Sequence, residues 1–373
     1  MTATPDARAP VSAATGRLLS LDFFRGVTML LLIGESTHIY SLLVDPSLRG
    51  TLAAAIGTQF DHHPWNGLHF WDLIQPFFMF IVGVALPFSV AKRGQRGQSR
   101  AQIVRHAVQR AFVLLLLGWA LYCIEPGRIT FRFQNVLAQL SVTYLVAFLM
   151  MRRSFRTQVI FTFALLALAE LVYRLFPVAG FNQPFVPDHN FGSWVDLLIS
   201  RELSGGHWVS FNAIPTTAHT MWGVLAGQWL MSERTPGEKI RRLALIGLAA
   251  VAVGFALDPV TPIIKRICTS SFVIASGGWC LLALAASYWF VDVRRVRTWT
   301  TFFNIVGTNS LVIYLFTESG GTSWVLRLVR PFTMAGAPLV GTLPARIVTS
   351  LAAWALLWGM CYWLYRRKIV IKI

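Results

Sequence analysis

Two adjacent histidines, His62 and His63, lie ten and nine residues before a carboxylate, Asp72, in the run FDHHPWNGLHFWDLIQPFFMFIVGVALPFS from Phe60 to Ser89. An imidazole beside a carboxylate can accept a proton near neutral pH, which is what acyl transfer to an amine or hydroxyl requires. The spacing does not choose between the two histidines, and paired loop histidines are more often plain solvated residues. Trp65 and Asn66 follow directly, where an indole would anchor at a membrane interface. Both are candidates for contact with an acceptor. Seven residues past Trp65, Asp72 enters an apolar stretch, followed by Gln75 and Pro76.

Other ionisable residues sit inside apolar runs, where a charge is costly and usually lines a cavity. The first run carries Asp22 and Arg25, then Glu35 and His38, each pair three apart and so on one helix face. Asn212, Thr216, His219 and Thr220 form a polar stripe in an otherwise apolar segment. Ser310, Tyr314 and Glu318 form another, with Asn309 beside it. For Ser and Thr, bonding between helices is the simpler reading; for His219 and Glu318, packing and cavity lining are equally open. Glu170 and Arg174, four apart, pair at a helix end. Lys265 and Arg266 either hold an anionic or polyhydroxyl acceptor or snorkel to an interface.

The elements that must position these residues are apolar helices. Of 373 residues 55% are hydrophobic and only 13% charged, too few charges for a water-facing surface. Hydropathy predicts ten spanning segments, at 18 to 43, 67 to 90, 104 to 124, 135 to 151, 157 to 176, 213 to 231, 242 to 258, 268 to 291, 301 to 318 and 346 to 365. The expected fold is an all-α polytopic membrane protein of about ten transmembrane helices with both termini cytoplasmic. Residues 1–17 read as a disordered cytoplasmic tail, residues 18–373 as a single transmembrane domain, and 177–212 as a compact loop.

The formal charge of +17 raises the question of a nucleic-acid partner. Of the 33 Lys and Arg residues, 22 fall in alternate loops and termini on the side of the amino terminus and ten on the other, with Arg25 inside the first segment. That is the positive-inside pattern of a membrane protein, and it excludes the nucleic-acid reading. Cys123, Cys268, Cys280 and Cys361 show no ligand spacing and read as packing residues. No His and acidic spacing suits a metal. Gly277 and Gly278 suit close helix contacts, within one chain or in a homodimer.

The motifs SLDFFRG (Ser20 to Gly26), HHPWNG (His62 to Gly67) and DLIQPFFMFIVG (Asp72 to Gly83) resemble the heparan-α-glucosaminide N-acetyltransferase family. Shorter matches follow at GVLAG (Gly223 to Gly227), PIIKR (Pro262 to Arg266) and GTNSLVIYL (Gly307 to Leu315). The resemblance runs from Arg17 onward and is most specific in the first ninety residues. It implies transfer of an acetyl group from cytoplasmic acetyl-CoA to an amino sugar across the membrane. The histidine three residues before the Trp of WNG would do this, and that residue is His62. It further implies a bacterial inner-membrane protein, because the lumenal domain of animal members has no counterpart here. Where better-known members carry an asparagine in the first helix, this chain reads Gly34, Glu35, Ser36.

Together these readings give a working mechanism. Acyl-CoA docks its nucleotide on Arg25 and the basic loop from Lys92 and Arg93 to Arg105. His62 acts as general base or as acyl-accepting nucleophile. Asp72 or Glu35 orients the imidazole, and Asn309 or a backbone amide stabilises the oxyanion. Trp65, Asn66, His219, Lys265 and Glu318 are candidates for the acceptor. The rival is a proton-coupled transporter using Glu35, His38, Asp72 and Glu318.

Overall fold

The structure is a computed structural model that describes residues 18–124 and 126–371; the expected tail at 1–17 lies outside the described residues. Among the described residues the chain is helical throughout. The first predicted segment divides: α1 (Leu19–Ser36) stops before His38, whose left-handed backbone (φ 62°) starts the short α2 (Ile39–Leu43). His38 therefore does not share a helix face with Glu35, contrary to the three-residue spacing. After α3 (Leu52–Gln59) the histidine loop leads into α4 (Ile74–Gln95). Pro76 falls in the first turn of α4, where its missing N–H has no helical partner to lose, and so it does not interrupt the helix.

The next helices follow the predicted segments: α5 (Arg100–Ile124), α6 (Val136–Met150) and α7 (Phe155–Leu175). Residues 177–212 are more ordered than their loop-like composition suggests. They contain α8 (Phe191–Ser200), capped by the Asn190 side chain. Then come α9 (Thr217–Met231), α10 (Pro236–Ala256) and α11 (Ser270–Tyr288). The predicted segment 301 to 318 is two helices, α12 (Thr300–Thr308) and α13 (Ser310–Glu318), parted at Asn309.

A helix that hydropathy does not reveal, α14 (Gly321–Met334), buries Thr322, Val325 and Val329 on one face. Arg327 and Arg330 on its other side mask the apolar stripe. The short α15 (Ala337–Val340) and long α16 (Thr342–Arg366) complete the chain. Among the described residues, five helical stretches are long and apolar enough to cross a membrane: Phe70–Gln95, Arg100–Ile124, Phe155–Leu175, Ser270–Val293 and Thr342–Arg366.

Glycines let these helices meet at backbone distance, the packing mode that matters where lipid removes the hydrophobic drive between helices. In the α4/α9 contact, a Cβ on Gly83 would strike the Thr220 carbonyl and one on Gly223 the Phe80 carbonyl. Gly26 of the SLDFFRG motif meets the Phe303 carbonyl, which brings α1 against α12. Gly277 faces Trp222, and Gly278 faces the Gly247 carbonyl, so this pair is used within the chain. Substituting Gly83 with Leu should lower the thermal midpoint of the detergent-solubilised protein by the roughly 1–3 kcal/mol of an overpacked contact. Gly94→Ala, in the same helix with open space around it, should leave the midpoint unchanged or raise it.

Candidate active site

Asp72 is the anchor of the site. It lies in the turn that opens α4, only 1% exposed, where unpaired helix N–H groups favour a negative charge. Its Oδ2 accepts the backbone N–H of His69 at 2.9 Å and of His63 at 3.2 Å. Its Oδ1 lies 3.0 Å from Nδ1 of His62. A second loop completes the cluster: Lys265 places Nζ 3.1 Å from His62 Nδ1 and 3.5 Å from Asp72 Oδ1. The two loops are tied together, since the Gly67 N–H donates to the Ile263 carbonyl at 2.8 Å. Thr269 steadies the lysine loop by donating to the Pro262 carbonyl.

This arrangement separates the two histidines. His63 packs its ring against His69 and under Gly67, where any side chain on that glycine would strike the imidazole. His62 instead turns into a cavity of about 210 Å³, with Nδ1 engaged by Asp72 and Lys265. Nε2 is then the nitrogen left for the cavity. A neutral imidazole with its proton on Nδ1, shared with Asp72, presents a lone pair at Nε2, the state a base or nucleophile needs. Burial, then the Lys265 ammonium, push the His62 imidazole below its ordinary value against the pull of Asp72, so it is neutral at pH 7. Burial likewise brings Lys265 down to about 8, opposed by Asp72 and Glu35.

The same cavity brings together Glu35, Gln75 and Glu318 with Trp71, Trp208 and Tyr314. Trp71 donates its indole N–H to Glu35 at 2.7 Å, which fixes that carboxylate. Gln75 donates to Gln139 and to Thr216. Trp208 meets His62 edge to face at 5.3 Å and carries Lys265 and Arg266 over its ring. It comes from the long loop before α9, and nothing in its sequence spacing marks it.

A second cavity of about 320 Å³ adjoins the first: Phe78, Val136 and Tyr314 line both. It ends among Arg25, Arg110, Ser89 and Thr308. The stripe on α13 runs along the pair of cavities, with Ser310 in one, Tyr314 in both and Glu318 in the other. Arg110 rests on the Tyr144 ring at 4.9 Å, and its buried Nε has no hydrogen-bond partner. A guanidinium that lines a cavity and keeps an unpartnered N–H suits an anionic ligand such as a nucleotide phosphate. Arg25 is 3.5 Å from Asp22, the ion pair expected from their spacing.

Several expected site residues lie elsewhere. Asn309 cannot serve an oxyanion beside His62. Its amide donates to the Ile369 carbonyl and accepts from the Ile371 N–H, binding the chain's last described residues. His219, fully buried, spends both nitrogens on Thr216 and Ser276 and joins α9 to α11. Trp65 donates to the Phe185 carbonyl and steadies the long loop, while Asn66 is exposed outside the cavity. Arg93 is held by Gln98 and His106, and Lys92 is exposed, so the second cavity takes its basic lining from Arg25 and Arg110.

Truncating Asp72 to Ala would leave the Lys265 ammonium buried without its counter-charge, together with two backbone N–H groups. The expected cost is about 3–5 kcal/mol, read as a large fall in the unfolding midpoint. His62→Ala, which removes a partly exposed ring and no buried charge, should cost far less.

No protein-family model matches the chain. It is similar to human heparan-alpha-glucosaminide N-acetyltransferase, 31% identical over 145 residues, covering 36% of this chain and 19% of that protein. The mouse protein of the same name is 30% identical over 143 residues, with the same coverage. The chain thus spans about a fifth of the length of the curated relatives it matches. With five helical stretches among the described residues fit to cross a bilayer, the chain reads as a membrane protein that is similar, over about a third of its length, to the heparan-alpha-glucosaminide N-acetyltransferases.

Proposed function

We propose that the protein is a membrane-embedded acyltransferase that moves an acetyl group from cytoplasmic acetyl-CoA to an amino sugar on the other side of the membrane, with His62 at the point of transfer. The observation that carries this reading is the pair of adjoining cavities, one with Arg25 and Arg110 in its lining and the other holding His62. Arg25 and Glu35, one in each cavity, are separated along α1 by roughly 15 Å of helix. An elongated donor with an anionic head and a thin thioester arm fits such a path. Its phosphates would meet Arg110 and Arg25, and its acyl group would arrive beside Nε2 of His62.

In direct transfer, the acceptor nitrogen attacks the thioester carbonyl while His62 Nε2 takes the proton; the carbon–sulfur bond breaks and the thiolate of CoA leaves with a proton returned from the imidazolium. In the two-step alternative, Nε2 itself attacks the thioester carbonyl, the carbon–sulfur bond breaks and the CoA thiolate leaves; the acceptor nitrogen then displaces the imidazole from the acetyl group, and its proton goes to the thiolate. In both, Asp72 holds the ring by Nδ1 and offsets its developing positive charge. The carboxylates of Glu35 and Glu318, facing the same cavity, suit the hydroxyls and amine of a sugar. The likeness to N-acetyltransferases of a glucosaminide supports an amino-sugar acceptor. We extend the proposal to ten spans with cytoplasmic termini, since all ten hydropathy segments coincide with helices and the basic residues obey one orientation.

The transporter reading loses a member, because His38 is exposed at the break after α1 and lines neither cavity. Purified protein given acetyl-CoA and a panel of amino sugars should release CoA and form acetylated product. His62→Ala should lower turnover roughly a hundredfold to ten-thousandfold. Normal transfer by that variant, or sugar flux into vesicles without CoA, would overturn the assignment. Arg110→Leu should raise the KM for acetyl-CoA roughly tenfold or more, from the ~1.5–3 kcal/mol of a charge-assisted hydrogen bond, while leaving kcat little changed.

A further inference from the structure

Lys265 has no role in the mechanism so far, yet it is the least exposed cation at the site. At 7% exposure it puts Nζ 3.1 Å from the same Nδ1 that Asp72 engages. It lines the same cavity as His62, with Nζ set against Asp72, His62 and the ring of Trp208. The contact has a chemical consequence. An ammonium 3.1 Å from Nδ1 opposes a positive charge on the ring, so an imidazolium at His62 would set two like charges side by side. A neutral imidazole that shares its Nδ1 proton with Asp72 avoids placing a second positive charge there.

Resting on the acyl-transfer reading of His62, we propose that Lys265 is a positioning residue: its buried ammonium keeps Asp72 ionised and holds His62 neutral, so that Nε2 is available as base or nucleophile well below neutral pH. Without it, the pull of the Asp72 carboxylate toward the imidazolium, which is inert in both roles, would be opposed only by burial and by Arg266. Among the other charged groups around the ring, Arg266 pushes in the same direction as Lys265 and less strongly. Asp61 accepts the His62 backbone N–H rather than the ring. Arg266 lies over Trp208 and donates to the Gly206 carbonyl. His63 stacks on His69. Glu35 and Glu318 face the cavity from α1 and α13, with Glu35 held by Trp71. The downward direction of the His62 imidazole, with Lys265 the leading charge among its causes, agrees with this geometry.

The test is the pH dependence of kcat/KM, whose acid limb reports the base of the free enzyme. Lys265→Met and Lys265→Gln remove the charge, and both should move the acid limb upward by roughly one pH unit or more, the ordinary effect of one nearby charge. At pH values below the wild-type limb this reads as about a tenfold loss relative to wild type, shrinking as the pH rises past the shifted limb. Lys265→Arg keeps the charge and should keep the limb in place, even where altered reach lowers the rate. Neutral variants that fold, turn over and keep the wild-type limb, whether or not KM for the sugar rises, would overturn the proposal and leave Lys265 an acceptor contact. If only Lys265→Arg folds, an acid limb raised in that variant would overturn it too. Failure of the acyl-transfer reading itself looks different: wild-type protein would then lack transfer, or would lose none of it on His62→Ala.

Discussion

The site depends on one buried carboxylate that four donors share. Asp72 takes the backbone N–H groups of His63 and His69, the imidazole of His62 and the ammonium of Lys265. An ionised carboxylate at a membrane protein's core is unfavourable in isolation, and here it is tolerable because every partner is charged, polar or part of a helix start. The consequence is geometric as much as electrostatic. A loop before α4 and a loop before α11, some two hundred residues apart in sequence, are brought to one point, and the Gly67 to Ile263 hydrogen bond keeps them there.

That convergence explains which parts of the site could be read from the chain. A histidine with a carboxylate ten residues on is local and legible as a pair of residue types, while the choice of His62 over His63, and of Asp72 over Glu35, was not. The stripe of Ser310, Tyr314 and Glu318 is legible for the same reason, since helical periodicity alone puts them on one face. Lys265 was visible as an unexpected cation, but its partner was not, because nothing in apolar periodicity says which loops meet. Trp208 and Arg110 carry even less signal: one is a loop tryptophan among several, the other one basic residue among many at a helix start.

Two residues offered for the site turn out to be structural for one physical reason. His219 and Asn309 stand out as polar groups in apolar segments, yet each is fully satisfied by neighbours, His219 by Thr216 and Ser276, Asn309 by the backbone of Ile369 and Ile371. Polarity in a span marks the need for a partner, and only the packing says whether that partner is protein or ligand. His38 failed differently. Its spacing from Glu35 assumes an unbroken helix, and the left-handed residue at the end of α1 removes that assumption. The ten segments all fall on helices, two of them divided in two, because apolar run length is a property of the chain, while α14 escaped because two arginines dilute it.

The fastening at Asn309 reaches further than its own helix break. Ile371 donates its N–H to that asparagine and also forms part of the wall beside Arg25 and Arg110. The described residues after α16 thus help to wall the cavity that Arg25 and Arg110 line, tied there by the two hydrogen bonds to Asn309. The break between α12 and α13 is in this way coupled to the shape of that cavity through a segment from the other end of the sequence.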